Sequence, residues 1–263
     1  MIDSPDECIR LARTYAKANA GGLLPGVVHN LQNTVHATIM QLDLWKQHLE
    51  LAPKPEQGVL QKTLSRLQAA TQDQIRFCQD LEQRALFLRE AETPVEVHLF
   101  CDWLRRFWIN DLFFKHHIAL DLEVAPEAPA TLNLPPLLLT LCLEEPLKNA
   151  IEECLLRDRQ GQFAFSLQVH PCGSGALFSL HAETALPQDL DPWQEGATSK
   201  AGHLGLGLSL VGFVCSLVGW SCSLEEQGGQ SVYSLKLPEA RTRPPESLEQ
   251  SSADSQQLNR GLV

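Results

Sequence analysis

The sequence predicts an α+β protein in which an antiparallel helical hairpin precedes an α/β sandwich. Two observations carry this prediction. A heptad repeat of apolar residues runs through the first third of the chain, and alternating helix-like and strand-like segments follow it. The chain has 263 residues, which is room for two ordinary domains, and its apolar content of 44% is enough for a buried core.

The heptad repeat defines two helices joined by a turn. The seam of the first helix advances in steps of four and three and consists of Leu24, Val28, Leu31, Val35, Leu42, Trp45 and Leu49. The second helix repeats the pattern at Leu60, Leu64, Leu67, Cys78, Leu81, Ala85 and Leu88. Between them, segment 51–58 contains Pro53 and Pro55, which end the first helix and turn the chain.

Two helices cannot bury two complete apolar stripes by themselves. A homodimer, in which two hairpins form a four-helix bundle, would bury both stripes, and this is the interpretation that we favour. The alternative is a hairpin that packs against the second domain of its own chain.

The texture of the sequence changes after Glu92-Thr93-Pro94, and this sets a boundary between domain 1–92 and domain 93–238. Six strands are predicted, at Val95–His98, Ile118–Val124, Phe163–Val169, Ala176–His181, Trp220–Glu225 and Ser231–Leu237. Three helices are predicted, at Leu99–Phe114, Pro135–Leu156 and Leu204–Val218. They indicate one mixed sheet with helices on one face. The polar segment 239–263 is predicted to be a disordered tail.

Composition excludes several classes of function. The formal net charge is -11, so a polyanion is not attracted to the surface and nucleic-acid binding is not expected. No apolar stretch reaches the roughly 18–20 residues of a membrane helix, and the N-terminus lacks a signal pattern. The sequence therefore predicts a cytoplasmic protein without membrane insertion. Its eight cysteines contain no Cys-x-x-Cys pair and are expected to be reduced thiols.

The first group of residues with chemical potential is His29-Asn30-Leu31-Gln32-Asn33, on the first helix. His29 follows Val28 of the seam, so it lies on the flank of the apolar stripe, where it can reach solvent and a partner. A neutral imidazole nitrogen is a usable phosphoryl acceptor. Since a histidine on a helix flank is most often an ordinary surface residue, the group is informative only in its context.

The second group lies on the helix predicted after Pro135. Glu145 and Asn149 are four residues apart and therefore share a face, with Lys148 beside them. Carboxylate and amide oxygens can hold Mg²⁺, which usually bridges to phosphates. An ordinary polar pair on a solvated helix is the plain alternative.

The third group is a polar loop that leads into a helix. Thr198, Ser199 and Lys200 precede the segment Gly205-Leu206-Gly207, where the helix opens. Backbone N–H groups at a helix N-terminus bind phosphate, and glycine lets the phosphate approach closely.

In this order, the three groups resemble those of sensor histidine kinases, and the resemblance extends from about residue 20 to Pro238. It implies a Bergerat-type ATP-binding sandwich and a receiver domain of a response regulator as partner. His29 would be the phosphoacceptor, Asn30 would occupy the place of the catalytic base, and Asn33 would position water for dephosphorylation. Asn149 and Glu145 would hold Mg²⁺. The residues that would bind ATP are Glu145, Lys148, Asn149, Thr198, Ser199, Lys200, Gly205, Leu206 and Gly207.

The sequence departs from that family at three places. The first glycine box, with the aspartate that reads adenine, should fall near 181–187, but both glycines and the aspartate are missing and Glu183 is the carboxylate nearest to its place. Asn30 stands where the family commonly has an acidic residue, and an amide cannot act as a general base. Thr34 replaces a helix-kinking proline, so the helix should be straighter there.

Three hypotheses follow. The first is an ATP-dependent histidine kinase that phosphorylates His29 and passes the phosphoryl group to an aspartate of a response regulator, with Lys200 stabilising the developing charge. The second is a histidine phosphotransferase or response-regulator phosphatase whose sandwich does not use ATP. The third is a pseudokinase that only binds partners. The whole pattern favours the first, whereas Asn30 and the missing glycine box favour the second.

Overall fold

The predicted helical hairpin is present in a computed structural model, which describes residues 4–51, 57–184, 191–197 and 205–238. Helix α1 spans Pro5–Leu51 and helix α2 spans Gln57–Phe87, and the two helices contact each other. Helix α1 begins well before the apolar seam and continues without a break through Pro25 and Thr34. The prediction that the helix is straighter at Thr34 stays a prediction. The turn joining the hairpin and the polar segment 239–263 lie largely outside the described residues.

The second part of the chain is the predicted mixed sheet with helices. Four further helices are α3 (Val97–Trp108), α4 (Leu112–His117), α5 (Pro136–Arg157) and α6 (Gly207–Val218). The strands are β1 (Thr93–Glu96), β2 (Ile118–Val124), β3 (Thr131–Leu134), β4 (Phe163–Cys172), β5 (Gly175–Ala182), β6 (Ser221–Gln227) and β7 (Gln230–Leu237). The main sheet has the order β2-β4-β5-β7-β6, with β2 and β4 parallel and the other pairs antiparallel, while β1 pairs with β3.

Most predicted elements are confirmed, but two predictions were wrong. The single helix expected at Leu99–Phe114 is two helices, because the Asp111 side chain accepts the backbone N–H of Phe114 at 2.8 Å and starts α4. The strand expected at Val95–His98 ends at Glu96, where α3 follows. Strand β3 was not predicted; its four residues pair with β1.

The sheet is covered on one face. Along β4, Phe163, Phe165, Leu167 and Val169 are buried while the residues between them are more exposed, which is the alternation of a half-buried strand. The buried side chains join those of α3, α5 and α6 in one core. The fold class predicted from the sequence is therefore correct.

Helix α1 carries two different apolar stripes. In its first half, the buried residues are small for the most part and recur at helical spacing: Cys8, Ala12, Ala16, Asn19, Leu23 and Val27. From Leu24 onward, the large apolar residues of the described seam are exposed, with Leu24 56% and Trp45 38% accessible. Helix α1 also contacts α5 and α6 of the sandwich, and Asn19 in its first half is hydrogen-bonded to Glu145 on α5.

The cysteines are free thiols, and all eight lie within the described ranges. Five of them are buried, and burial raises the pKa of Cys101 to about 12, which keeps that thiol protonated. Among the described helices there is none whose length and apolar character would let it cross a membrane.

One glycine permits the closest approach between α1 and the sandwich. A methyl group on Gly26 would overlap the backbone carbonyl of Asn110. We predict that Gly26→Ala lowers the free energy of unfolding by about 1–3 kcal/mol, because neither backbone can move aside freely. Urea denaturation of purified protein measures this change.

The matched control is Gly21→Ala, since a methyl group there meets no atom within 4 Å on the same helix. Alanine is the better helix former, so this variant should be more stable by about 0.5–1 kcal/mol. Equal effects of the two substitutions would contradict the close contact at Gly26.

Candidate functional site

His29 lies on the exposed surface of α1, at the edge of the uncovered apolar stripe. Its Nε2 atom is 3.0 Å from the Nδ2 atom of Asn33, one turn along the helix. An amide N–H donates, so in the neutral ring that carries its proton on Nδ1, Nε2 is the acceptor of this pair. The Nε2 lone pair then faces the amide of Asn33 on an exposed part of the helix, and a neutral imidazole nitrogen of this kind is a nucleophile.

Asn30, the third residue predicted for this group, points elsewhere. Its Nδ2 donates to Oδ1 of Asn110 at 3.0 Å, and its Oδ1 accepts a hydrogen bond from Nζ of Lys115 at 2.7 Å. These partners belong to the turn before α4 and to α4 itself. The side chain of Asn30 therefore connects the helix that carries His29 to the sandwich, just beyond the close contact at Gly26.

The second predicted group lies on α5 and is covered by α1. Glu145 is buried, with 2% of its surface exposed, and its Oε1 accepts a hydrogen bond from Nδ2 of Asn19 at 2.7 Å. Nζ of Lys148 donates to Oδ1 of the same Asn19 at 3.1 Å. Asn149 donates from its side chain to the Glu145 carbonyl at 2.9 Å. Asn19 thus joins Glu145 to Lys148 from the side of α1.

A buried ion pair lies beside this network. Arg84 on α2 holds the carboxylate of Glu144 with both terminal nitrogens, the Nη2–Oε2 distance being 2.8 Å, and Nη2 also donates to the carbonyl of Ala16 at 2.6 Å. Burial raises the pKa of Glu144, and the guanidinium of Arg84 opposes that rise. Burial likewise raises the pKa of Glu145, against the opposing charge of Lys148.

The third predicted group is only partly described, because Thr198, Ser199 and Lys200 lie outside the described residues. Gly205 has φ +64°, a conformation that favours glycine, and its carbonyl accepts the N–H of Gly196 at 3.1 Å. Leu206 precedes α6 and Gly207 is its first residue. A methyl group on Gly207 would overlap Oε2 of Glu145, so this carboxylate lies directly against the start of α6.

Glu183 and Thr184 lie in the segment where the resemblance predicts the first glycine box, and both are hydrogen-bonded within the sandwich. The carboxylate of Glu183 accepts the backbone N–H of Ala164 at 3.0 Å, and its carbonyl accepts from Arg157 at 3.3 Å. Thr184 is buried and shares a 2.6 Å hydrogen bond with Ser231. Glu183 is thus bonded to β4 through its carboxylate and to α5 through its carbonyl.

The described residues do not fit ATP with Mg²⁺. The carboxylate predicted to hold the metal is buried against Asn19 and the start of α6, and Lys148 is bonded to the same Asn19. The second group is also distant from His29, because Asn19, which contacts Glu145 and Lys148, is ten residues from His29 on α1, or about 15 Å along the axis.

Several residues of this site were not predicted from the sequence. Asn19, Arg84, Asn110, Lys115 and Glu144 all join the hairpin to the sandwich. One signal for them exists: the positions of Cys8, Ala12, Ala16 and Leu23 extend a helical repeat upstream of the seam. Small residues at those positions indicate a closely packed helix, and a search for large apolar residues at heptad spacing does not detect them.

Comparisons with known proteins bear on the fold. No family model and no curated protein matches the chain. Among solved structures, full-length ShkA in complex with AMPPNP shares 14% identity at a TM-score of 0.50, over 92% of this chain and 48% of that one. The histidine kinase AdeS of Acinetobacter baumannii shares 13% identity at 0.46, over 81% and 98%. A blue-light activated histidine kinase domain of Erythrobacter litoralis shares 16% at 0.44, over 77% and 96%.

The chain has the fold of histidine kinases, a long helical hairpin followed by an ATPase-type sandwich. The resemblance inferred from the sequence is thus confirmed at the level of the fold. This chain corresponds to about half of ShkA, whose covered share is 48%.

The buried ion pair gives a test of the contact between hairpin and sandwich. We predict that Arg84→Met lowers the free energy of unfolding by about 3–5 kcal/mol, because it leaves the carboxylate of Glu144 buried and unpaired. The double variant Arg84→Met/Glu144→Leu should lose much less. Urea denaturation of the three proteins measures both changes.

Arg76→Met is the control, since Arg76 pairs with Asp73 on the same helix but both side chains are more than half exposed. That substitution should cost about 0–1 kcal/mol. A loss at Arg84 no larger than at Arg76 would show that the buried pair does not hold the helices together.

Proposed function

We propose that this chain is a histidine phosphotransfer protein of two-component signalling, in which His29 exchanges a phosphoryl group with an aspartate of a response-regulator receiver domain. The observation that carries the proposal is the exposed Nε2 of His29, oriented by Asn33 on a helix that is fixed to the sandwich. The histidine kinase fold supports the same class of chemistry. Because such receivers are cytoplasmic, the proposal includes a cytoplasmic location.

The transfer balances without a further reagent. The lone pair of His29 Nε2 attacks the phosphorus of the receiver's aspartyl phosphate, an N–P bond forms, and the P–O bond to the carboxylate breaks. The aspartate leaves as a carboxylate, and the Nδ1 proton, facing solvent on an exposed ring, remains or passes to water. The amide of Asn33 must turn from Nε2 as the phosphoryl group arrives, and its N–H groups can then donate to the phosphoryl oxygens.

Asn33 also supports a phosphatase activity toward the same receiver. In the family that the sequence resembles, the residue one turn after the phosphoacceptor positions the water that hydrolyses the aspartyl phosphate. An amide in contact with His29 is placed to orient water on this exposed surface. We propose Asn33 for this role.

The uncovered stripe of α1 supports a homodimer. Leu24, Val28, Leu31, Val35 and Ile39 are each between 39% and 56% exposed, and Leu64, Ile75 and Leu81 on α2 are similarly exposed. An apolar surface of this extent is unusual for a monomer. A second hairpin would cover it as a four-helix bundle and would leave His29 on the outside of the seam.

An ATP-dependent kinase is the second candidate. Asn149 and the glycines that open α6 favour it, because the family uses such residues for Mg²⁺ and phosphates. The burial of Glu145 under α1 counts against it. We therefore propose a phosphorylated receiver, rather than ATP, as the source of the phosphoryl group.

Phosphoryl transfer is tested with a receiver domain from the same organism that carries a labelled aspartyl phosphate. We expect label to appear on the wild-type protein and not on His29→Gln, which lacks the nucleophile. His36→Gln is the matched control, since His36 is also exposed on α1. Label should be acid-labile and alkali-stable, and gel autoradiography detects it.

The same gel distinguishes the two candidates. With γ-labelled ATP and Mg²⁺ as donor we expect no label on His29. Label from ATP that is lost in His29→Gln would establish the kinase instead. Label in His36→Gln and His29→Gln alike would exclude His29 as the acceptor.

A charged side chain placed in the apolar seam of α1 tests whether the protein is a dimer. We predict that Leu31→Glu reduces the mass in solution from that of a dimer to that of a monomer, because two carboxylates would be buried at the bundle core. Light scattering during size-exclusion chromatography measures the mass. Gln32→Glu, one position away on the exposed surface, should leave the dimer intact. A wild-type monomer would refute the bundle.

A further inference from the structure

Helix α1 contacts both α5 and α6, and Asn19 in its first half bonds to Glu145, which lies against Gly207 at the start of α6. The buried stripe of small residues on α1 lets the helix sit close to both, and Cys8, Ala12 and Ala16 have no exposed surface. The α5–α6 face contains Glu145 and Gly207, the residues that the family resemblance assigns to Mg²⁺ and phosphate. The first half of α1 thus covers the residues on this face that the resemblance assigns to nucleotide binding.

The contact is polar as well as close. Asn19 uses both ends of its amide, donating to Glu145 and accepting from Lys148. A carboxylate and a lysine that a nucleotide would require are therefore bonded to one side chain of α1. The amide is 4% exposed, so solvent does not compete for these hydrogen bonds.

Glu145 also lies where an anion would approach α6. Its Oε2 is in contact distance of Gly207, the first residue of that helix. A helix N-terminus attracts negative charge, and here a carboxylate of the protein supplies it. A phosphate could reach this position only by displacing Glu145 from beneath α1.

Displacement of α1 would require more than the loss of one hydrogen bond. Arg84 donates to the carbonyl of Ala16 and holds Glu144 on α5, so it connects α2, α1 and α5. Further along, Gly26 contacts Asn110, and Asn30 is bonded to Asn110 and Lys115. The helix is held from residue 16 to residue 30 by contacts with the sandwich or with Arg84.

We propose that the α5–α6 face is an intramolecular helix-binding site, occupied by the segment from Pro5 to Gly26, and that this occupation closes it to nucleotides. The hydrogen bonds that Asn19 makes with Glu145 and Lys148 join α1 to α5, and we call these three residues the joint. The sandwich then acts as a rigid support that holds the His29 helix in place through Asn30. This deepens the proposed function, on which it rests only for the direction of phosphoryl flow.

The first test is nucleotide binding by the full chain. We expect the melting temperature to stay unchanged in about 5 mM MgATP or MgADP, whereas a ligand at 100 times its dissociation constant would lower the unfolding equilibrium constant about a hundredfold and raise the melting temperature. A nucleotide-binding histidine kinase serves as the assay control. A rise in melting temperature that disappears in Asn149→Ala would overturn the proposal.

The second test measures the joint itself. A double-mutant cycle with Asn19→Ala and Glu145→Ala should show a coupling of at least about fivefold in the unfolding equilibrium constant. If Glu145→Ala does not fold, the cycle of Asn19→Ala with Lys148→Met measures the other half of the network. Additive effects in the cycle would overturn the joint. Gln32→Ala, exposed on the same helix, should not couple to either residue.

The two proposals fail separately. If His29 accepts no phosphoryl group from a receiver while the cycle shows coupling, the phosphotransfer function is wrong and the joint stands. If MgATP binds while His29 still accepts from a receiver, the joint is wrong and the function stands.

Discussion

The arrangement of the helical hairpin and the sandwich depends on the hydrogen bonds and ion pair that the guanidinium of Arg84 makes. This guanidinium is buried among three helices and donates hydrogen bonds to the carboxylate of Glu144 on α5 and to the backbone carbonyl of Ala16 on α1. It also lies over the rings of Trp103 and Phe107, 5.6 and 4.9 Å from their centroids. A charge so deeply buried requires a charged partner, which Glu144 supplies, so α1, α2 and α5 are held in the positions that make this pairing possible.

This constraint explains the composition of the first half of α1. A helix that offers its own carbonyl to Arg84 must come close to α2 and α5, and only small side chains leave room for that. Alanines at positions 12 and 16 provide the room, and Asn19 forms hydrogen bonds with the buried carboxylate of Glu145 and with Lys148.

The sequence predicted the sheet and the hairpin because both follow from simple periodicities. Ile118–Val124 alternates at period two and is a strand with those bounds. The seam from Leu24 is an exposed stripe of apolar residues, as the heptad spacing predicts for a helix flank that its own chain does not cover. His29 and Asn33 could be placed on one face by their spacing alone, and the structure brings them to 3.0 Å.

Tertiary pairing accounts for what the sequence could not predict. Asn19 pairs with Glu145, 126 positions away, and Arg84 pairs with Glu144, 60 positions away; no local pattern encodes such partners. Strand β3 forms because Thr131–Leu134 meets β1, although its own sequence is short and follows a proline-rich loop. The burial of Glu145 was missed for the same reason, since an i,i+4 polar pair has the same spacing at a metal site and beneath another helix.

Helix α1 runs without interruption from Pro5 to Leu51, so the residues that cover Glu145 and the residues around His29 belong to one element. A substitution that shifts this helix against α5 would therefore also shift His29. A change at Asn19 can in this way alter the position of an imidazole about 15 Å away along the axis without touching it.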